Sequence, residues 1–205
     1  MIRKDHWNTI YSTKASDDVS WFQSRPEVSL QLIERTGVAK HEPLIDVGGG
    51  VSVLVDHLLE AGHTSLTVLD ISGVALEKAG HRLGSRASQV EWIEADVTSF
   101  VPQQPYALWH DRAVFHFLTD PDDRRKYRET LTQAVTPQGH VIIAAFALDG
   151  PTQCSGLDVV RYDAERICAE LGAAFELRGQ VIEMHHTPWD TVQPFTYFRF
   201  QRAQR

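Results

Sequence analysis

The sequence predicts an α/β protein: a Rossmann-like, doubly wound, mostly parallel seven-stranded sheet with a C-terminal antiparallel hairpin. Three observations carry that expectation. From residue 43 onward, short apolar runs alternate with amphipathic helical segments, the pattern of a parallel sheet covered on both faces. The first of those runs leads directly into a glycine turn, "LIDVGGG". The tail then breaks the alternation with two strand-like stretches, 175–186 and 194–202, joined by "TPWDTVQ".

In chain order, two helical segments come first, around 5–16 and 26–37, connected by "DDVSWFQSRP". "PLIDV" (43–47) is a short buried strand, and "VSVLVDHLLEAG" a helix ended by Gly62. "SLTVLD" (65–70) is the second strand. The next helix has Ser72 as its N-cap and Gly84 just past its end. "QVEWIEAD" (89–96) and "YALWH" (106–110) supply strands three and four. "DPDDRRKYRETLTQAV" follows as a helix with Asp120 as cap and Pro121 at its first position. "GHVIIAAFA" (139–147) is the fifth strand, and a helix at 163–171 precedes the hairpin. In the hairpin, Phe195, Tyr197 and Arg199 alternate with Thr196, Phe198 and Phe200. With no repeats or linker, the chain reads as one domain, residues 1–40 forming a helical cap and 41–205 the core.

Composition narrows the function. The 205 residues are 42% hydrophobic and 23% charged, the balance of an ordinary globular protein. A net charge of −7 opposes a nucleic-acid surface, and the basic run "DDRRKYR" reads as a solvated helix face. No apolar run approaches the ~20 residues of a membrane span, and the start has no apolar leader region, so a cytoplasmic enzyme is expected. Of the two cysteines, Cys168 sits at helical spacing with Ala164, Ile167 and Leu171 and reads as a core thiol. Cys154 lies in the loop "GPTQCSGLD". No spacing suits a metal site.

The glycine turn lets a ligand approach the backbone and the free N–H groups of a helix start. It is not the dinucleotide fingerprint, because the last glycine position of that pattern, counted from Gly48, is Val53. What stands there is Asp46-x-Gly48-x-Gly50, with Gly49 between. Asp70 ends the second strand about 20 residues later, where an acid accepts both hydroxyls of a ribose. Asp96 closes the third strand, suited to an adenine amino group. All three acids belong to the carboxyl edge of the sheet, where such folds bind ligands.

In these motifs, over roughly residues 40–200, the chain resembles the class I S-adenosylmethionine-dependent methyltransferases. The resemblance implies that Asp46, Gly48, Gly49 and Gly50 hold the methionine part of S-adenosylmethionine. Asp70 with Ile71 would take the ribose, and Asp96 with Val97 the adenine. "HWNTIY" resembles the segment that closes over the cofactor in some relatives, which would engage Trp7 and Tyr11. The end of the fourth strand would face the transferred methyl group. There "HDRAVFHF" offers His116 as general base, with His110 and Asp111 beside it and Arg112 toward the acceptor. The stretch is also similar to the Asp-basic-Gly-Thr-x-Asp pattern of elongation-factor lysine methyltransferases and their bacterial relatives. It keeps Asp111 and Arg112, but has Ala113, Val114 and His116 where that pattern has Gly, Thr and Asp. Cys154, His185 and His186 are candidates for the acceptor rim, a set suited to a soft acceptor such as a thiol. The expected function is methyl transfer to a small molecule. A protein lysine and a non-catalytic cofactor-binding role are the alternatives.

Overall fold

The computed structural model describes residues 3–15 and 17–204. Two helices, α1 (Arg3–Thr13) and α2 (Glu27–Thr36), precede the sheet. The expected first helix reached residue 16, which lies outside the described residues. Next come β1 (Leu44–Val47), α3 (Leu54–Glu60), β2 (Leu66–Asp70), α4 (Gly73–Leu83), β3 (Val90–Glu94) and β4 (Tyr106–Arg112). The chain continues with α5 (Pro121–Ala134), β5 (Val135–Phe146), a two-stranded ribbon of β6 (Gln153–Cys154) and β7 (Leu157–Asp158), and α6 (Ala164–Leu171). It closes on β8 (Phe175–His186) and β9 (Val192–Arg202).

Seven strands form one sheet in the order β3-β2-β1-β4-β5-β9-β8. The first five are parallel, and β9 runs antiparallel to both its neighbours. The order reverses beside β1, which places the crevice for a ligand at the carboxyl ends of β1 and β4. β1 and β2 are buried at every position, as expected of parallel strands covered on both faces. The caps follow the side chains foreseen: Ser72 accepts from the Ala75 N–H, and Asp120 accepts from Asp122 with Pro121 at the first helical position.

Several boundaries differ from the sequence reading, and one matters for the site. β4 runs to Arg112, two residues past the expected end. Asp111 is therefore a strand residue, with its side chain on the opposite face of the sheet from that of His110. β3 stops at Glu94, so Asp96 stands two residues beyond it. β5 begins at Val135, directly after α5, and a register shift between Tyr106 and Leu108 absorbs the early start. α3 begins at Leu54 rather than in the 51–53 stretch, because the glycine turn continues that far. The loop carrying Cys154 is the β6–β7 ribbon, and Cys168 is half-buried at the edge of the core rather than within it. Among the described residues no helix is long and apolar enough to cross a membrane.

Candidate active site

The glycine turn after β1 is held from three sides. Gly48 and Gly50 have φ of 68° and 43°, a region that a side chain makes costly. A Cβ on Gly48 would stand 2.0 Å from the Val114 Cγ2, so the turn interlocks with the segment following β4. The Gly48 N–H donates to the Leu69 carbonyl at 2.7 Å. On the far side, Arg82 of α4 donates to the Val51 and Ser52 carbonyls at 2.8 and 2.7 Å and pairs with Asp56.

The two acids beyond the turn share one device. Asp70 Oδ1 accepts from the Ser72 N–H at 2.8 Å. Its other oxygen faces Gly50, 2.9 Å from where a Cβ there would lie. Burial raises the Asp70 carboxyl to about 7, with nearby Asp46 adding to the shift and the N–H groups of Ser72, Gly50 and Ile71 opposing it. Asp96 Oδ1 accepts from the N–H and hydroxyl of Thr98 at 2.8 and 2.7 Å, while Oδ2 lies 3.6 Å from Arg3. Each acid is held by N–H donors of its own turn, and each lines the cleft.

The residues at the end of β4 behave differently. His110 is paired with Asp46 across the β1–β4 register. Its Nδ1 donates to Asp46 Oδ1 at 2.7 Å, and its Nε2 accepts from the Ser29 hydroxyl of α2 at 2.9 Å. Both ring nitrogens are engaged. Asp111 points to the opposite face. Its Oδ1 accepts from the Val114 N–H at 2.9 Å, and its Oδ2 accepts from the Tyr127 hydroxyl at 2.6 Å. That clamp holds Ala113 at a φ of 72°. Burial raises Asp111 to about 6, against the lowering effect of those donors.

His116 is fully buried between Phe117, Phe146 and Phe195, with no hydrogen-bond partner for Nε2. Desolvation, with a smaller contribution from Arg112, lowers it to about 3, so the ring is neutral. It does not line the cleft. Position and charge state both correct the expectation of a general base there: a proton acceptor must reach the reacting group and bind its proton near working pH. His110 and Asp111 have no free atom for that role either.

The cleft runs from Asp96 and Val97 past Ile71 and Asp70 to Gly48, and ends among Trp21, Phe117, Arg112 and Cys154. Its empty space, open mouth included, is about 760 Å³. Trp7 and Tyr11 of α1 form its roof, packed against Trp21 with ring centroids at 5.8 and 6.3 Å. α1 is tied down by Arg3 to Asp96 and Asp123, by Lys4 to Glu94, and by Asn8, which accepts from the Ser72 hydroxyl at 2.7 Å.

The connector between α1 and α2 closes the far end. Arg112 donates to the Trp21 carbonyl at 2.9 Å, His185 to the Ser20 carbonyl at 2.7 Å, and Gln23 to Glu183 at 2.7 Å. His185 is thus spent on the connector, with its pKa lowered by burial and Arg112. His186 faces away, exposed beside Asp190 at 3.7 Å. Of the proposed rim, the cleft brings together Arg112 and Cys154 and leaves out His116, His185 and His186. Among the described residues there is no cluster of three metal-ligating side chains.

Sequence reasoning missed Trp21, Phe117, Arg3 and Ser29. The aromatic pair Trp21-Phe22 inside a connector between two helices is a usable signal for the first. The others are placed by tertiary packing alone.

Residues 45–141 match a family described as a methyltransferase domain. No curated protein sequence matches the chain. Among solved structures, the N-methyltransferase NodS from Bradyrhizobium japonicum bound to S-adenosyl-L-homocysteine superposes with a TM-score of 0.74. It is 19% identical, over 97% of this chain and 99% of that one. A SAM-dependent methyltransferase from Anabaena variabilis gives 0.75 at 16% identity, over 98% and 93%. The glycopeptide N-methyltransferase MtfA, complexed with S-adenosyl-L-methionine, gives 0.68 at 12%, over 89% and 96%. At such identities the likeness speaks for a common fold.

Proposed function

We propose that this chain, a class I S-adenosylmethionine-dependent methyltransferase by its matched domain and fold, passes the methyl group to a small-molecule acceptor. The first forty residues act in this reading as a cap on a single core, in a cytoplasmic setting. The observation that carries it is the Asp70 carboxyl lining the cleft beside a glycine turn that leaves no room for a side chain. Those features fit the cofactor. Asp70 offers an acceptor to ribose hydroxyls, Asp96 and Val97 flank the adenine end, and the turn from Gly48 to Gly50 admits the methionine part. When bound, the cofactor supplies an electrophilic methyl group on a sulfonium.

The chain's own part is positioning. The roof of Trp7, Tyr11 and Trp21 keeps water from the cleft, and the β4 turn braced by Asp111 sets the wall against which an acceptor lies. His110 fixes Asp46 beside the glycine turn. The acceptor end is closed by the pinned connector and lined by aromatic rings, which suits a small body better than a protein side chain on an open groove. Incubation with radiolabelled cofactor and cell extract, separated into protein and small-molecule fractions, tests this. Label in the small-molecule fraction is the expected result, and label confined to protein overturns it.

A further inference from the structure

Among the described residues lining the acceptor end of the cleft, the charged side chain is that of Arg112. Arg3, Asp70 and Asp96 lie toward the adenosine end of the cleft, and Asp46 is turned onto His110. Beyond Gly48 the described wall includes Trp7, Tyr11, Trp21, Phe117, Cys154 and Arg112. Arg112 lines both this cleft and the cavity adjoining it under Gly48. Its guanidinium is rigidly seated: Nε donates to the Tyr197 hydroxyl at 2.8 Å, Nη1 to the Trp21 carbonyl, and the Phe195 ring lies 4.6 Å beneath it. Nη2 makes no hydrogen bond, and the side chain is only 10% exposed.

One acid stands near that cation. Glu183 Oε2 lies 3.6 Å from Nη2 but accepts from the Tyr197 hydroxyl, while Oε1 accepts from Gln23. Glu183 does not line the cleft. The remaining titratable neighbours are Tyr11, Tyr197, His116, His185 and Cys154. Desolvation is the main cause in all five: both imidazoles are pushed down, and both phenols and the thiol up, so the groups that keep a proton keep it tightly. No side chain here is placed to take a proton from an ammonium group, and a fixed cation repels one.

We propose that the acceptor is an aromatic hydroxyl or thiol that enters as its anion, with Arg112 supplying the compensating charge, and that amines are excluded. This rests on the methyltransferase reading above. A cation within ~4–6 Å lowers the pKa of an acid, so the acceptor's proton leaves to solvent on binding and no base is required. The flat body packs among Trp7, Trp21 and Phe117, which favour edge-to-face contacts. The anion's lone pair then forms the bond to the methyl carbon, the methyl–sulfur bond breaks, and its electron pair stays on sulfur. An anion and a cation become two neutral products, a change favoured in a cleft of low dielectric.

A test without turnover uses 4-nitrophenol, whose anion absorbs visibly, with protein saturated by S-adenosylhomocysteine. The absorbance midpoint of the bound phenol is expected about one pH unit or more below the free value. At neutral pH 4-nitroaniline, similar in shape but uncharged, is expected to bind at least about tenfold more weakly, consistent with a charge-assisted contact. Arg112→Lys should keep part of the shift and Arg112→Met abolish it. Because Arg112 also braces Trp21 and Tyr197, each variant's S-adenosylhomocysteine affinity reports whether its cleft is formed. The nitroaniline comparison needs no variant at all. An unmoved or raised midpoint, absence of nitrophenol binding, or equal affinity for the two probes overturns the inference. If S-adenosylhomocysteine itself fails to bind, the methyltransferase reading falls as well; if it binds and the midpoint is unmoved, only the acceptor inference falls.

Discussion

The ends of β2 and β4 both present an aspartate at the carboxyl edge of the sheet, yet they put it to opposite uses. Asp70 is held by the main-chain N–H groups of Ser72, Gly50 and Ile71 and lines the cleft. Asp111 gives one oxygen to the Val114 N–H and the other to the Tyr127 hydroxyl. The same contrast separates Asp96 from His110, whose two nitrogens are both bonded. A titratable side chain at a strand end therefore stays beside the cleft when its own turn holds it. Where a side chain of a neighbouring helix reaches in to bond it, as α5 does with Tyr127 and α2 with Ser29, the group is drawn out of the cleft lining.

The sharpest way to break this comparison is to exchange the two outcomes. Asp70→Ala should lower S-adenosylmethionine affinity roughly 10²-fold, since two hydrogen bonds to a charged group are lost, with little change in unfolding free energy. Calorimetry showing near-normal affinity would place the cofactor elsewhere. Asp111→Asn should do the reverse. It weakens the clamp on the β4 turn and costs about 2–3 kcal/mol of stability in denaturant titration, while a folded sample still binds S-adenosylhomocysteine within a few-fold. A large affinity loss with normal stability would make Asp111 a binding residue after all.

The raised Asp70 carboxyl sharpens the comparison through pH. Its folded value near 7 lies above the unfolded range, so the folded chain holds a proton that the unfolded chain has lost. This group therefore contributes less stability as pH rises from the ordinary aspartate range toward 7. Ribose hydroxyl donors favour the ionised form, so cofactor binding should release a proton below pH 7. Affinity should then rise with pH, by up to about tenfold per unit below 7, and level off above it. Calorimetry in buffers of different ionisation enthalpy measures the released proton directly. The smallest effect belongs to His116. As a neutral ring among phenylalanines, it should tolerate His116→Phe with a change under about 1.5 kcal/mol and unaltered cofactor affinity. A large fall in kcat at normal stability would restore a catalytic role to it.

The turns that carry Asp70 and Asp96 could be read in the sequence because their geometry is local. A strand, a glycine turn and an acid two residues before its own N–H donor are all encoded within a few positions, and Asp70-Ile71-Ser72 and Asp96-Val97-Thr98 show that spacing. The β4 end was misread because its outcome is set from afar. A strand two residues longer than expected sends His110 and Asp111 to opposite faces, and their partners come from α2 and α5, 81 and 16 residues away. Nothing in "HDRAVFHF" signals those contacts. The alternation of strands and helices and the terminal hairpin were legible because hydrophobic period and caps act over single elements.

The connector that closes the cleft is held by residues made long after it. Gln23 bonds to Glu183, 160 positions later in the chain, and Ser20 to His185, 165 positions later. During synthesis the glycine turn, Asp70 and Asp96 emerge and can fold while these fasteners are still untranslated. A nascent chain thus passes through a stage in which the residues around Asp70 and Asp96 are already made while the partners that pin the connector are not. A cofactor that binds at that stage would meet no roof pinned over the acceptor end, and the last strands to arrive would fasten it behind the bound molecule.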